Sequence, residues 1–103
     1  MAGRYLVLGA GGLGCPALLG LLGADPAEIT IVDHDVVDAS NLHRQVLYSV
    51  AEVGMAKVEA AALRLRGRAP RLRVHPLRLR LTADNLGALL DAQRQDTVVL
   101  ECS

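Results

Sequence analysis

The sequence lacks several features that mark common classes of protein. It has no tryptophan, no phenylalanine and only two tyrosines, so it offers few aromatic platforms for stacking the bases of single-stranded nucleic acid. Eleven basic and eleven acidic residues give a formal net charge of zero, whereas polyanion binders usually carry a positive excess. No apolar run approaches the 18 or so residues of a membrane span. We therefore expect neither a nucleic acid nor a membrane as partner.

Cysteine and lysine are also scarce. Two cysteines, Cys15 and Cys102, lie far apart in the chain and do not form the pattern of a disulfide framework or a metal site. His34 and His43 have no ligand spacing either, so no metal site is expected on them. No basic and apolar leader opens the chain, which favours a cytoplasmic location. Ten basic residues are arginines, and Lys57 is the single lysine.

What the sequence does contain is an alternation of apolar strand patterns and helical patterns. With 103 residues, 51% of them hydrophobic, it predicts one domain with an aliphatic core. The alternation is typical of an α/β protein with a parallel sheet. Strands are predicted at 5–8, 28–32, 72–79 and 97–101, and helices at 15–22, 51–66 and 82–94.

The predicted fold is Rossmann-like: a doubly wound, mostly parallel sheet of order 3-2-1-4 with helices on both faces. The fourth strand would form an exposed apolar edge, which natural proteins usually protect. We therefore expect residues 1–103 to be a single nucleotide-binding domain that is incomplete at its C-terminus, a truncated half-domain.

A glycine-rich turn connects the first predicted strand to the first helix. Residues 9–14 read Gly-Ala-Gly-Gly-Leu-Gly, which fits the G-x-G-x-x-G pattern of nucleotide-binding turns. In that pattern one glycine makes the tight turn, one lets the backbone approach a phosphate, and one lets helix and strand pack closely. The candidate phosphate-binding residues are Gly9, Gly11, Gly12 and Gly14.

An acidic residue and a polar loop follow the second strand. Asp33 lies nineteen residues after Gly14, where a carboxylate can accept hydrogen bonds from ribose hydroxyls. The turn and this acid fit NAD as well as ATP. Arg44 in the loop and Lys57 beyond it favour a triphosphate, because guanidinium and ammonium groups bind phosphates well.

Taken together, these motifs resemble the ThiF/MoeB/HesA family, the bacterial relatives of ubiquitin-activating enzymes. The resemblance covers essentially the whole chain and is nearest to the MoeB type. The most specific element is Asn-x-x-Arg-Gln followed by a lysine. The segments that carry it are the glycine turn at 9–14, Val-Asp-His-Asp at 32–35, Ser-Asn-Leu-His-Arg-Gln at 40–45, Gly-Met-Ala-Lys at 54–57 and Glu-Cys-Ser at 101–103.

The resemblance implies an adenylyltransferase. Such an enzyme uses ATP to adenylate the C-terminal Gly-Gly carboxylate of a ubiquitin-like sulfur-carrier protein, in molybdopterin or thiamine biosynthesis, and the family is dimeric. By position, Gly12 would lie against the nucleotide and Asp33 would hold the ribose. Arg44 and Lys57 would be the catalytic residues: Arg44, with Asn41, would make the main contacts to the phosphates, and Lys57 would neutralise the charge that develops on them. The loop residues that would line the phosphate site are Ser40, Asn41, Leu42, His43, Arg44 and Gln45.

The resemblance also implies a magnesium ion. In the family pattern an Asp-Asn pair follows one small residue after Cys102, and its Asp binds Mg²⁺, so that ligand is expected just beyond Ser103. We therefore expect residues 1–103 alone to be inactive in adenylation. Two other functions stay open at this point: an NAD(P)-binding module of a dehydrogenase, and a non-catalytic remnant that binds a partner through its exposed sheet edge.

Overall fold

The computed structural model of the protein describes residues 3–10, 14–38, 53–93 and 96–102. Within these ranges four strands and three helices alternate. The strands are β1 (Arg4–Leu8), β2 (Glu28–Asp33), β3 (Arg73–Arg78) and β4 (Thr97–Glu101), and the helices are α1 (Gly14–Leu22), α2 (Lys57–Arg68) and α3 (Ala83–Asp91).

All strand pairs in the sheet are parallel, and the order is β3-β2-β1-β4. This confirms the predicted 3-2-1-4 arrangement. β3 contains Pro76, and it lies at an edge of the sheet, where a residue without an N–H is tolerated. β4 forms the other edge, with Val98 48% and Val99 42% exposed.

The two faces of the sheet carry very different amounts of core. Side chains alternate along β1, so that Val7 joins the cluster under α1 and α2, whereas Leu6 and Leu8 point to the face of α3. The α1/α2 cluster is extensive. On the other face the buried apolar residues are Leu6, Leu8 and Val32, and α3 itself has no buried residue.

The start of α2 corrects the sequence analysis, which predicted a helix from residue 51. The helix begins at Lys57, because the preceding residues pair with the chain that leaves β2. Gly54 has a φ of +92°, a conformation that favours glycine and interrupts a helix. Its N–H donates to the Val37 carbonyl at 2.9 Å, and the Val37 N–H donates to the Met55 carbonyl at 2.8 Å.

The start of α3 is fixed by its N-cap residue, Thr82. The Thr82 hydroxyl accepts a hydrogen bond from the Asn85 N–H at 3.2 Å. The Asn85 side chain in turn accepts one from the Thr82 N–H at 2.8 Å. This reciprocal capping box satisfies two backbone donors that a helix start otherwise leaves unpaired.

Replacing Leu65 with alanine should strongly destabilise the protein. Leu65 of α2 is fully buried, whereas Leu63 of the same helix is 53% exposed. We expect L65A to lower the free energy of unfolding by about 2–5 kcal/mol, and the matched control L63A to lower it by less than about 0.5 kcal/mol. Urea unfolding followed by circular dichroism measures both. Equal losses would contradict the observed orientation of α2 on the sheet.

Candidate functional site

A cavity of about 430 Å³ lies at the carboxyl ends of the strands. Each of the four strands contributes, either with its last residues or with those that follow it. This is the edge at which open α/β sheets bind their ligands. The lining residues are Gly9, Val32, Asp33, His34, Asp35, Lys57, Leu79, Arg80, Leu81 and Cys102.

The glycine turn begins immediately after β1. Gly9 has a φ of +105°, so the tight turn requires glycine at this position. Its N–H donates to the Val32 carbonyl at 2.7 Å, which holds the turn against β2. Gly14 is the first residue of α1. A strand therefore precedes the glycine motif and a helix follows it, as the motif predicts.

Asp33 connects this turn to the end of β2. Its Oδ2 accepts a hydrogen bond from the Ala10 N–H, and its Oδ1 accepts one from the Asp35 N–H, both at 2.8 Å. An ionised carboxylate has about four acceptor positions, so each oxygen can still accept a ribose hydroxyl. The sequence predicted the ribose role and missed the contact with Ala10, for which the spacing of the motif gives no signal.

Lys57 brings a buried ammonium group to the same cavity. Its side chain is 7% exposed, and its Nζ lies 3.9 Å from Oδ2 of Asp35, too far for a hydrogen bond. The Lys57 N–H donates to the Asp35 carbonyl at 2.9 Å, which fixes the first turn of α2 beside β2. Buried lysines are rare without a good partner, and this one faces a cavity large enough for an anion.

Two parts of the chain that were not among the predicted site residues complete the cavity. One is the segment 79–81 after β3, which we call the apolar wall because Leu79 and Leu81 line the cavity there; the exposed Arg80 between them lines it as well. The Leu79 N–H donates to the Asp33 carbonyl at 3.0 Å, so the wall adjoins the predicted ribose site. Topology was the available signal: residues that follow parallel strands meet at one edge of the sheet.

The other stretch is Cys102, which follows β4. Its N–H donates to the Leu8 carbonyl at 2.8 Å. Burial raises the pKa of the Cys102 thiol, and the neighbouring Glu101 carboxylate raises it further. The thiol is therefore neutral at pH 7 and contributes an uncharged surface to the cavity.

Three donor groups at the end of β2 lie near one another. Ligand atoms of Asp33, His34 and Asp35 are within 4.8 Å of each other, a cluster that the sequence analysis did not anticipate. Both carboxylates are already engaged: Asp33 with backbone N–H groups, and Asp35 with His34 at 3.2 Å and with the Lys57 ammonium. The Lys57 ammonium, 3.9 Å from Oδ2 of Asp35, disfavours a second cation at this cluster, so we assign Mg²⁺ to none of the described residues.

Of the predicted site residues, the structure brings Gly9, Asp33 and Lys57 to one cavity. The remaining ones, apart from Gly14, lie outside the described residues, and their roles stay predictions. They are Gly11, Gly12, Ser40, Asn41, Leu42, His43, Arg44 and Gln45.

Comparison with known families gives a match along the entire chain. The model of the ThiF family matches residues 1–103. The chain belongs to the ThiF family. This confirms the resemblance that the motifs carry.

Curated relatives of this ThiF-family chain include fungal proteins named adenylyltransferase and sulfurtransferase Uba4. The protein of Ogataea parapolymorpha is 44% identical over 100 residues, which are 97% of this chain and 25% of the relative. That of Kluyveromyces lactis is 46% identical over 98 residues, 95% of this chain and 21% of the relative. The chain thus spans about a quarter of the length of these proteins.

Solved structures with the same fold include two from Escherichia coli. The tRNA N6-threonylcarbamoyladenosine dehydratase TcdA, in complex with ATP, superposes with a TM-score of 0.90 at 30% identity. The match covers 98% of this chain and 41% of the TcdA chain. MccB with ATP gives a TM-score of 0.79 at 28% identity, covering 89% and 27%. Both of these proteins were therefore solved with the same nucleotide.

Replacing Asp33 with asparagine should destabilise the protein even without ligand. The amide oxygen of asparagine can accept from one of the two N–H groups, and its NH₂ group would face the other. We expect the free energy of unfolding to fall by about 1–3 kcal/mol, measured by urea denaturation.

Asp25→Asn is the matched control for this substitution. Asp25 is exposed and has a φ of +52°, which asparagine also tolerates. We expect its unfolding free energy to stay within about 0.5 kcal/mol of the parent protein. If D33N were as stable as D25N, the hydrogen bonds of the Asp33 carboxylate would not help to hold the glycine turn against β2.

Proposed function

We propose that this chain is the nucleotide-binding portion of an adenylyltransferase that uses ATP to adenylate the C-terminal Gly-Gly carboxylate of a ubiquitin-like sulfur-carrier protein. The observation that supports it is the meeting of the Gly9 turn, the Asp33 carboxylate and the buried Lys57 ammonium at one cavity. The name of the Uba4 relatives combines adenylyl transfer with sulfur transfer, which favours a sulfur carrier as the partner.

In the proposed complex the three parts of ATP occupy three parts of the cavity. Asp33 accepts hydrogen bonds from the ribose hydroxyls. The base lies against the apolar wall, which adjoins Asp33 through the Leu79 hydrogen bond. The phosphates extend from the ribose toward the glycine turn, where the start of a helix attracts anions, and toward Lys57.

The proposed reaction is an in-line displacement at the α-phosphorus. A carboxylate oxygen of the carrier forms a bond to that phosphorus while the bond to the bridging oxygen of the β-phosphate breaks. The products are an acyl-adenylate and pyrophosphate. Negative charge builds up on the departing oxygen, and the Lys57 ammonium, pre-positioned and largely shielded from water, stabilises it. We propose that Arg44 contributes a second cation from the 40–45 segment.

The 103-residue chain should bind ATP more tightly than NAD. Lys57 supplies a cation for the additional phosphate charge of ATP, whereas NAD has two phosphates and a second nucleoside that would need its own surface. Isothermal titration calorimetry with ATP, AMP and NAD measures the affinities. Tighter binding of NAD would support the dehydrogenase-type alternative and contradict adenylation.

Replacing Lys57 with methionine should weaken ATP binding while leaving the fold intact. Methionine fills the buried path of the lysine stem without the charge. Because hydrogen bonds to charged groups contribute about 1.5–3 kcal/mol, we expect the Kd for ATP to rise about tenfold or more. Removing a buried ammonium should not lower the melting temperature, which thermal unfolding checks.

Arg71→Met is the control for loss of a basic residue. Arg71 is exposed and lines a different cavity, together with Leu22 and Pro70. Its replacement should leave the ATP affinity within about twofold of the parent value. Equal weakening by R71M and K57M would show that general charge, and not the Lys57 position, governs binding.

A further inference from the structure

Asn85 makes one hydrogen bond that its role in the helix cap does not require. Two of its bonds are the capping box with Thr82. In addition, its Nδ2 donates to the Arg80 carbonyl at 2.8 Å. Arg80 is the middle residue of the apolar wall. One amide side chain therefore joins the start of α3 to the wall of the cavity.

The wall needs such a connection because it lies beyond the end of β3, which stops at Arg78. Among the described residues, its backbone hydrogen bond to the sheet runs from the Leu79 N–H to the Asp33 carbonyl. Leu79 and Leu81 are only partly buried and pack against the small cluster on the α3 face. Because this apolar packing is limited, the position of the wall depends strongly on the Asn85 hydrogen bond.

We propose that Asn85 is a positioning residue for the nucleotide base: by holding the Arg80 carbonyl it sets Leu79 and Leu81 at the distance at which a flat purine packs against them. This inference rests on the proposed function, since it takes the ligand to be an adenine nucleotide. Asn85 itself contacts neither base nor phosphate in this proposal. Its effect passes through the backbone of the wall.

The substitution Asn85→Asp separates the two roles of this side chain. A carboxylate still accepts from the Thr82 N–H, and a negative charge in the first turn of a helix is favourable. However, it has no N–H to donate, and its oxygen would face the Arg80 carbonyl oxygen. N85D thus keeps the cap and loses the connection to the wall. Thr82→Ala does the reverse, because it removes the cap hydroxyl and leaves the Arg80 bond.

The test compares AMP with ribose 5-phosphate, which has the sugar and the phosphate but no base. Affinities are measured by NMR titration on the parent protein, N85D and T82A. We expect N85D to weaken AMP binding about fivefold, as for the loss of one hydrogen bond. Its affinity for ribose 5-phosphate should stay within about twofold of the parent value. T82A should lower the melting temperature and leave both affinities within about twofold.

Each other outcome overturns a specific statement. If the parent protein binds ribose 5-phosphate as tightly as AMP, or binds neither, the adenine-nucleotide function is wrong and the base-positioning role falls with it. If the parent protein prefers AMP but N85D binds both compounds like the parent, Asn85 does not position the wall. If N85D weakened the binding of both compounds equally, or if T82A weakened AMP binding as much as N85D does, the effect would be a general one on structure. Either result would overturn the base-positioning role of Asn85.

A second variant keeps the test decisive if N85D does not fold, as judged by circular dichroism. Asn85→Ser places a neutral hydroxyl at this position on a side chain too short to reach the Arg80 carbonyl. The same selective loss of AMP affinity is expected for it, and an unchanged preference for AMP over ribose 5-phosphate would contradict the proposal.

Discussion

The carboxylate of Asp33 is the contact on which the site depends. It accepts from the Ala10 N–H on one side and from the Asp35 N–H on the other, so it joins the turn after β1 to the chain that leaves β2. Ala10 is completely buried, and an unpaired N–H there would cost free energy. Together with the bond from the Gly9 N–H to the Val32 carbonyl, this side chain fixes the distance between the candidate phosphate-binding turn and the candidate ribose acceptor.

Lys57 is placed by backbone pairing rather than by its own charge. Residues 54–57 bond to residues 35–37, with an isolated antiparallel bridge between Val36 and Ala56. The helix then begins with the lysine at the cavity. A 7% exposed ammonium whose ion-pair partner among the described residues is 3.9 Å away is unfavourable for stability alone. The same burial is useful toward phosphate, because a desolvated cation interacts with an anion more strongly.

The sequence was sufficient to predict those parts of the candidate site that depend on local motifs and strand patterns. The strand patterns predicted the parallel strand order, and the glycine motif predicted the turn at Gly9. The spacing after that motif predicted that Asp33 lies at the candidate site. The start of α2 was predicted six residues too early, since helical composition from residue 51 concealed the positive φ at Gly54. The apolar wall was missed because no motif marks it. Its place at the cavity follows from the parallel topology, which brings the residue after β3 to the same edge as Asp33, and from the hydrogen bonds of Leu79 and Arg80.

The two faces of the sheet have cores of different size, and each face supports the part of the cavity that would hold a different end of the proposed ATP. α2 packs on the larger core, and its first residue, Lys57, faces the phosphates in our proposal. α3 has no buried residue and supports the wall through its capping box and the Asn85 bond. Small displacements of catalytic groups reduce rates severely, so in our proposal the face with the larger core carries the group beside the reacting phosphorus. A base that only packs and does not react tolerates a less firmly held surface, provided that one hydrogen bond keeps that surface within contact distance.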